Sequence, residues 1–251
     1  MLTVGRLLKK GGNIMMTRNI SWNSFINRYT TLPFLLDILY NKRLTLVDPN
    51  KWEDENDSYF MTLYKARSGF RSVLALCFAE HESLVTEKYH NWKIYAGNSS
   101  GICIQFYKDK LVSCIENVPE IKCGSVIYKT VQQFENEWRE TPWSQLPFIK
   151  QQAFDGEAEF RIIYENDFEE IALKYLPIKL NSIAKIMVNP WLPNSLVDAI
   201  RQSINNIEGC AQIKIIQTKL LSYEKWKRAG DRIVKSDNKA SEIATQHRLL
   251  R

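Results

Sequence analysis

Residues 150–164 read Lys-Gln-Gln-Ala-Phe-Asp-Gly-Glu-Ala-Glu-Phe-Arg-Ile-Ile-Tyr, and no other stretch constrains the fold as strongly. An Asp155-Gly156 turn signal leads into a strand-like run containing Phe160, Ile162, Ile163 and Tyr164. Side chains alternate along an extended chain, so Glu157, Glu159 and Arg161 are expected on one face of that strand. Whatever covers the face must accommodate two carboxylates and a guanidinium. Adjacent carboxylates raise one another's proton affinity, and a neighbouring arginine lowers it. Taken alone, the triplet reads as a solvated strand face whose ion pair is worth little.

The flanking chain alternates short strands and helices. A strand over 25–30 is followed by a helix that Thr31 caps, with Pro33 in its first turn and an apolar stripe of Leu32, Leu35, Leu36 and Leu39. A strand over 44–47 ends in an Asp48-Pro49-Asn50 turn, and the acidic run Trp52 to Asp57 opens a helix reaching about Arg67. Strands are expected over 71–79, 101–106, 125–128, 172–178, 184–188 and 211–216. Helices are expected over 83–96, in a polar stretch through Trp138, and over 194–205. There is no internal repeat. The pattern predicts one α+β domain with a mixed, mainly antiparallel sheet flanked by helices.

Composition narrows the class. A chain of 251 residues with 45% hydrophobic and 12% aromatic residues can bury a core without metals or disulfides. It has no run of eighteen apolar residues, so no membrane partner is expected. Residues 1–18 read as a flexible leader, too short and glycine-broken to be a signal peptide. Five cysteines, with no C-x-x-C pair, and three histidines argue against a zinc site and for a reducing cytoplasm. Of the formal net charge of +6, the segment from Glu224 to Arg251 carries +4, with eight Lys or Arg against four Asp or Glu. That basic tail, with Trp226, suits nucleic acid or an acidic partner, or is a solvated helix or disordered end.

Several stretches together resemble a broad bacterial family, domain of unknown function two-nine-seven-one (DUF2971). They are Trp92-x-x-Tyr95-Ala96 with Gly101-x-Cys103-Ile104-x-Phe106, then Arg28-Tyr29-Thr30, Asp37-Ile38-Leu39 and Glu53 to Asp57. Lys150, Phe154, Glu157, Glu159 and Arg161 are similar to the family's Lys-x-x-x-Phe-x-x-Glu-x-Glu-x-Arg, and Ile183, Ile186 and Pro190 to a later motif. The resemblance runs from about residue 25 to 223. It implies an ADP-ribosyltransferase-like layout with a split sheet. A first strand would carry Arg28, a second the Cys77 region, and a third Glu157-Ala158-Glu159. The layout implies NAD as substrate and an effector of toxin or phage-defence type. Such an effector has a macromolecular acceptor, nucleic acid before protein, and a neutralising antitoxin partner. The Ala75 to Ala79 strand departs from the pattern because it has no hydroxyl.

The chemistry gives each residue a role. Cleaving the nicotinamide–ribose bond builds positive charge on the ribose. Glu159 is the expected stabiliser of that charge and Glu157 the group that orients or deprotonates the acceptor. Arg28 suits a pyrophosphate, Tyr29 or Trp52 a stacked nicotinamide, and Arg161 either cofactor contact or support of Glu159. There is no G-x-G-x-x-G or P-loop. Asp54 and Asp57 read as helix-start acids that favour the dipole. With the Glu pair they also fit a metal-dependent nuclease. A non-catalytic binding module, for nucleic acid or a protein partner, is the other alternative. Lys150 is expected to cover the helix–strand junction or to pair with Asp155.

Overall fold

In the computed structural model, which describes residues 24–81, 87–97 and 100–235, the alternating runs pair into one nine-stranded sheet. The elements in order are β1 (Phe25–Thr31), α1 (Leu32–Asn41), β2 (Arg43–Val47), α2 (Glu55–Ser68), β3 (Ser72–His81), α3 (Tyr89–Tyr95), β4 (Gly101–Tyr107) and α4 (Lys108–Ser113). There follow β5 (Ile121–Ser125), β6 (Ile127–Lys129), α5 (Val131–Glu137), β7 (Ile149–Gln151), β8 (Glu159–Asn166) and β9 (Leu173–Pro177). The chain continues with β10 (Ile183–Val188), α6 (Asn194–Asn205), β11 (Ile215–Gln217) and α7 (Glu224–Lys235). The expected leader and residues 236–251 of the tail lie outside the described residues.

The sheet runs β11-β10-β4-β1-β3-β2-β9, with β8 on the other edge of β3 and β5 beyond β8. Every pairing in it is antiparallel except β10 with β11, and β6 and β7 form a separate parallel pair. The sheet is therefore mixed and mainly antiparallel, as expected. It also divides. β1 pairs with β3 only through Phe25, Ile26 and Asn27, and from Arg28 onward it pairs with β4 alone. Below the division the same edge of β3 meets β2 at a single pair, Val47 with Ala75.

Alternation along the strands gives the sheet two faces of different character. One is apolar. Ile26, Leu74, Leu76, Phe78, Ile104, Phe160 and Ile162 join Leu35 and Leu39 of α1, Leu111 of α4 and Val197 and Ile204 of α6 in the main core. The opposite face carries two smaller clusters. Tyr29, Ala79, Cys103 and Met187 pack under Trp92 of α3, while Val73, Ala75 and Ile163 pack under Met61 and Tyr64 of α2. Glu159 and Arg161 are on this second face, since Glu159 opposes Ala79 and Arg161 opposes Cys77. A charged row thus separates two apolar ones. Among the described residues no helix is long and apolar enough to cross a membrane.

Several local expectations shift. Thr31 is the N-cap residue of α1 but its hydroxyl caps nothing, and Leu32 N–H instead donates to the Ser100 carbonyl at 2.8 Å. The helix expected over 83–96 begins at Tyr89, and residues 82–86 are outside those described. The last strand contracts to Ile215–Gln217, where it finds its partner β10. The sequence signals missed α4, because it follows β4 with no turn residue between them. A Cβ on Gly101 would lie 2.0 Å from the Ala96 carbonyl oxygen, an approach only glycine allows. Gly101→Ala is accordingly expected to lower stability by about 1–3 kcal/mol in chemical denaturation. An unchanged midpoint would show that this backbone approach is not required.

Candidate functional site

The charged row is built around one guanidinium. Arg161 is fully buried and spends all five of its N–H donors. Nε and Nη2 take the two oxygens of Glu159 at 2.9 and 2.8 Å, and Nη1 reaches Asp57 Oδ1 and the Pro147 carbonyl, each at 2.8 Å. Nη2 also donates to Asp57 Oδ2. The Trp52 ring covers the guanidinium, with its centroid 5.1 Å from Cζ. Such a fork must hold two carboxylates from distant parts of the chain in one plane. Arginine does this bidentately, and lysine cannot.

Lys150 forms the second centre. Its Nζ is 2.6 Å from Glu157, 3.5 Å from Asp57, 3.6 Å from Glu159 and 3.7 Å from Asp54. It does not pair with Asp155, which accepts instead from Gln152 at 2.7 Å. Asp54 is the N-cap of α2 and accepts from the Asn56 and Asp57 amides, as expected. Asp57 is an acid of the first turn of α2, as expected, and is also buried against Arg161. Tertiary pairing there outweighs the helix dipole, because a buried carboxylate must find a cation.

Glu157 and Glu159 do not share a strand. Glu157 closes a turn, Ala158 turns left-handed at φ 47°, and β8 begins only at Glu159. The reversal nonetheless returns Glu157 to the same ammonium, and its other oxygen accepts from the Tyr95 hydroxyl of α3 at 2.7 Å. Lys88 also donates to the Gly156 carbonyl at 2.7 Å, so α3 fastens this turn.

Electrostatics divide the carboxylates. Burial pushes the Glu159 pKa up, but Arg161, Lys150 and the Cys77 thiol together hold it below the ordinary value. Burial wins at Asp57, whose pKa is raised despite Arg161. Burial and the nearby Glu159 push the Cys77 thiol pKa up, so a neutral thiol lies beside that carboxylate.

Arg28 is at the division of the sheet. Its Nη1 donates to the Cys77 carbonyl at 3.0 Å, the strand acceptor left without a ladder partner as β1 departs. Alternation puts Arg28 with Ile26 and Tyr29 with Glu159, so it is Tyr29 that shares the face of the carboxylate. Arg28 still feels Glu159 electrostatically, while burial lowers its pKa. Tyr29 is buried edge-on against Trp92, with centroids 5.4 Å apart. Among the described residues, neither its hydroxyl nor either amide atom of the fully buried Asn91 makes a well-aligned hydrogen bond, although Asn91 and the Lys88 backbone lie close enough to the hydroxyl to oppose the rise in pKa that burial causes.

The four carboxylates that a nuclease would need do converge, but on the ammonium of Lys150. Among the described residues no group of three or more acids, cysteines or histidines is arranged to hold a metal. A half-open pocket of about 160 Å³ adjoins Lys150, walled by Phe60, Val131, Phe134 and Ile149. It is smaller than the roughly 300 Å³ of usual small-molecule sites. Sequence reasoning grouped Asp54 and Asp57 with the Glu pair only as a metal-site alternative, and gave Lys150 and Tyr95 no part in this cluster. The spacing of Lys150 in its motif was the one signal that pointed to it.

A family model described as "Protein of unknown function (DUF2971)" matches residues 91–162, from α3 into β8, and bears out the family resemblance over that span. No curated protein and no solved structure matches the chain.

Removing Arg161 leaves two buried carboxylates without their fork. Arg161→Met is expected to cost on the order of 3–5 kcal/mol by chemical denaturation. Arg161→Lys should recover little, because an ammonium cannot bind both acids bidentately. The pH dependence has a definite sign. The Glu159 pKa is depressed on folding, so its contribution is present above the ordinary Glu pKa and is lost as pH falls through the folded value. Wild-type stability should therefore fall on acidification below about pH 4.3, and Glu159→Gln should flatten that slope. An unchanged slope would show that Glu159 is not the group titrating.

Proposed function

We propose that this protein is an NAD-consuming, ADP-ribosyltransferase-like effector, of toxin or phage-defence type, that modifies a macromolecule. The observation that carries the reading is Glu159, a carboxylate held ionised and immobile by Arg161, Lys150 and Cys77. A fixed negative charge is what a ribose needs as its bond to nicotinamide breaks, and pre-oriented charges of this kind contribute strongly to catalysis. Further support comes from the family resemblance and the divided sheet.

In this mechanism the ribose C1′–nitrogen bond breaks and nicotinamide leaves with the bonding pair. Glu159 stabilises the resulting cation. The acceptor nucleophile forms the new bond at C1′ and loses its proton toward Glu157, which Tyr95 and Lys150 orient. Arg28, on the opposite face of β1 and with one donor committed to the Cys77 carbonyl, takes no part in this step.

A second reading has its own observation. Glu159 is only 6% exposed and both of its oxygens are taken by Arg161, which suits a binding module that keeps the fold without the chemistry.

Incubation with radiolabelled NAD and separate RNA, DNA and protein fractions distinguishes the two. Label should pass to one fraction with release of nicotinamide, and Glu159→Gln should reduce transfer by roughly 100-fold or more. No transfer and no nicotinamide release by the wild-type protein would favour the binding module. Transfer that survives in Glu159→Gln would remove that residue from the chemistry.

A further inference from the structure

The surface formed by α3 and the turn at Trp191, with α7 following the segment pinned beside it, has features that the charged row does not use. Tyr89, Trp191 and Trp226 are 50%, 39% and 79% exposed, although large aromatic side chains are normally withdrawn from water. Tyr89 meets Trp191 edge-on at 6.1 Å, and Lys93 Nζ is 4.2 Å from the Trp191 ring centroid. Rings and cations are interleaved.

Local hydrogen bonds join the three segments. Gln217 donates to the Asn189 and Leu192 carbonyls at 3.2 and 2.6 Å, which ties the end of β11 to the Trp191 turn. Thr218 donates to Glu87 at 2.5 Å, and the other oxygen of Glu87 accepts from Trp92 of α3 at 2.9 Å. Leu220 packs against the Trp92 cluster, and α7 starts four residues later. The helix thus leaves from a segment pinned to α3.

These segments carry most of the net charge of the chain. Residues 87–97 and 218–235 contain eight Lys or Arg against three Asp or Glu, a net of +5 out of +6 for the whole protein. One of the three acids, Glu87, is engaged by Trp92 and Thr218, and another, Glu224, pairs with Lys227.

From this arrangement we infer that the α3–Trp191 surface, together with α7, binds single-stranded nucleic acid. Polyphosphate backbones are held by clustered Lys and Arg, and unpaired bases stack on exposed aromatic rings. An acidic protein would answer the charge but not the rings. A duplex would answer the charge while keeping its bases stacked inside. Binding here does not depend on the transferase reading. If both hold, the face selects the acceptor.

Fluorescence anisotropy of the full chain with labelled 12-nucleotide oligo(U) and oligo(A), as RNA and as DNA, tests this, alongside a blunt 12-base-pair duplex. Single strands should bind more tightly than the duplex. Their affinity should fall at least tenfold between 50 and 200 mM salt. Trp226→Ala and Trp191→Ala should each weaken binding roughly 5- to 100-fold, and Lys225→Glu with Arg228→Glu should nearly abolish it. These are exposed positions, and circular dichroism confirms that each variant is folded. Equal affinity for duplex and single strand, wild-type affinity in both tryptophan variants, or equally effective competition by poly-glutamate would overturn the inference. Nicotinamide release from NAD is read separately, so loss of one property does not imply loss of the other.

Discussion

The fork of Arg161 between Glu159 and Asp57 is the interaction on which the second face of the sheet depends. It joins β8 to the first turn of α2, more than one hundred residues away in sequence, and through Pro147 to the segment before β7. A buried guanidinium is tolerable only when every donor is met, and here all five are. Replacing it by packed apolar residues is a solution many proteins adopt at similar or lower energetic cost. What the charged solution provides instead is geometry. Two carboxylates are fixed in orientation, and one is kept ionised against the effect of burial.

Lys150 extends that geometry to the turn before β8. Its ammonium gathers Glu157 from beyond the left-handed Ala158, and Tyr95 of α3 holds the other oxygen of the same carboxylate. The cluster is therefore continuous from α2 to α3 across the second face. Its two apolar neighbours, under α2 and under α3, exclude water from either side. Low local polarity strengthens each ion pair and makes each unpaired group more costly.

The division of the sheet has a local cause as well as a chemical one. Once β1 turns from β3 toward β4, the carbonyl of Cys77 needs a donor, and Arg28 reaches across to supply it. A shorter side chain at 28 would leave that acceptor buried and unmet. This explains an arginine inside a strand without reference to any ligand, and it leaves the remaining guanidinium donors beside the electrostatic reach of Glu159.

The sequence by itself determined the elements and their class. Period-two runs, the Asp48-Pro49 break and the Pro33 start marked most strands and helices, because those signals act over a few residues. It also pointed to residues 150–164 as the charged centre, with Lys150, Glu157, Glu159 and Arg161 at fixed spacing. Only the tertiary structure decided what those charges do. Asp57 reads as a helix-start acid because its partner is 104 residues away, a separation at which no local pattern carries information. Glu157 reads as a strand residue because nothing in an Ala at 158 announces φ 47°. Alternation assigned Arg28 and Tyr29 to opposite faces, but which face held Glu159 followed from the register of β1, β3 and β8. Register is a property of pairing between distant strands, and pairing is where the sequence alone stops.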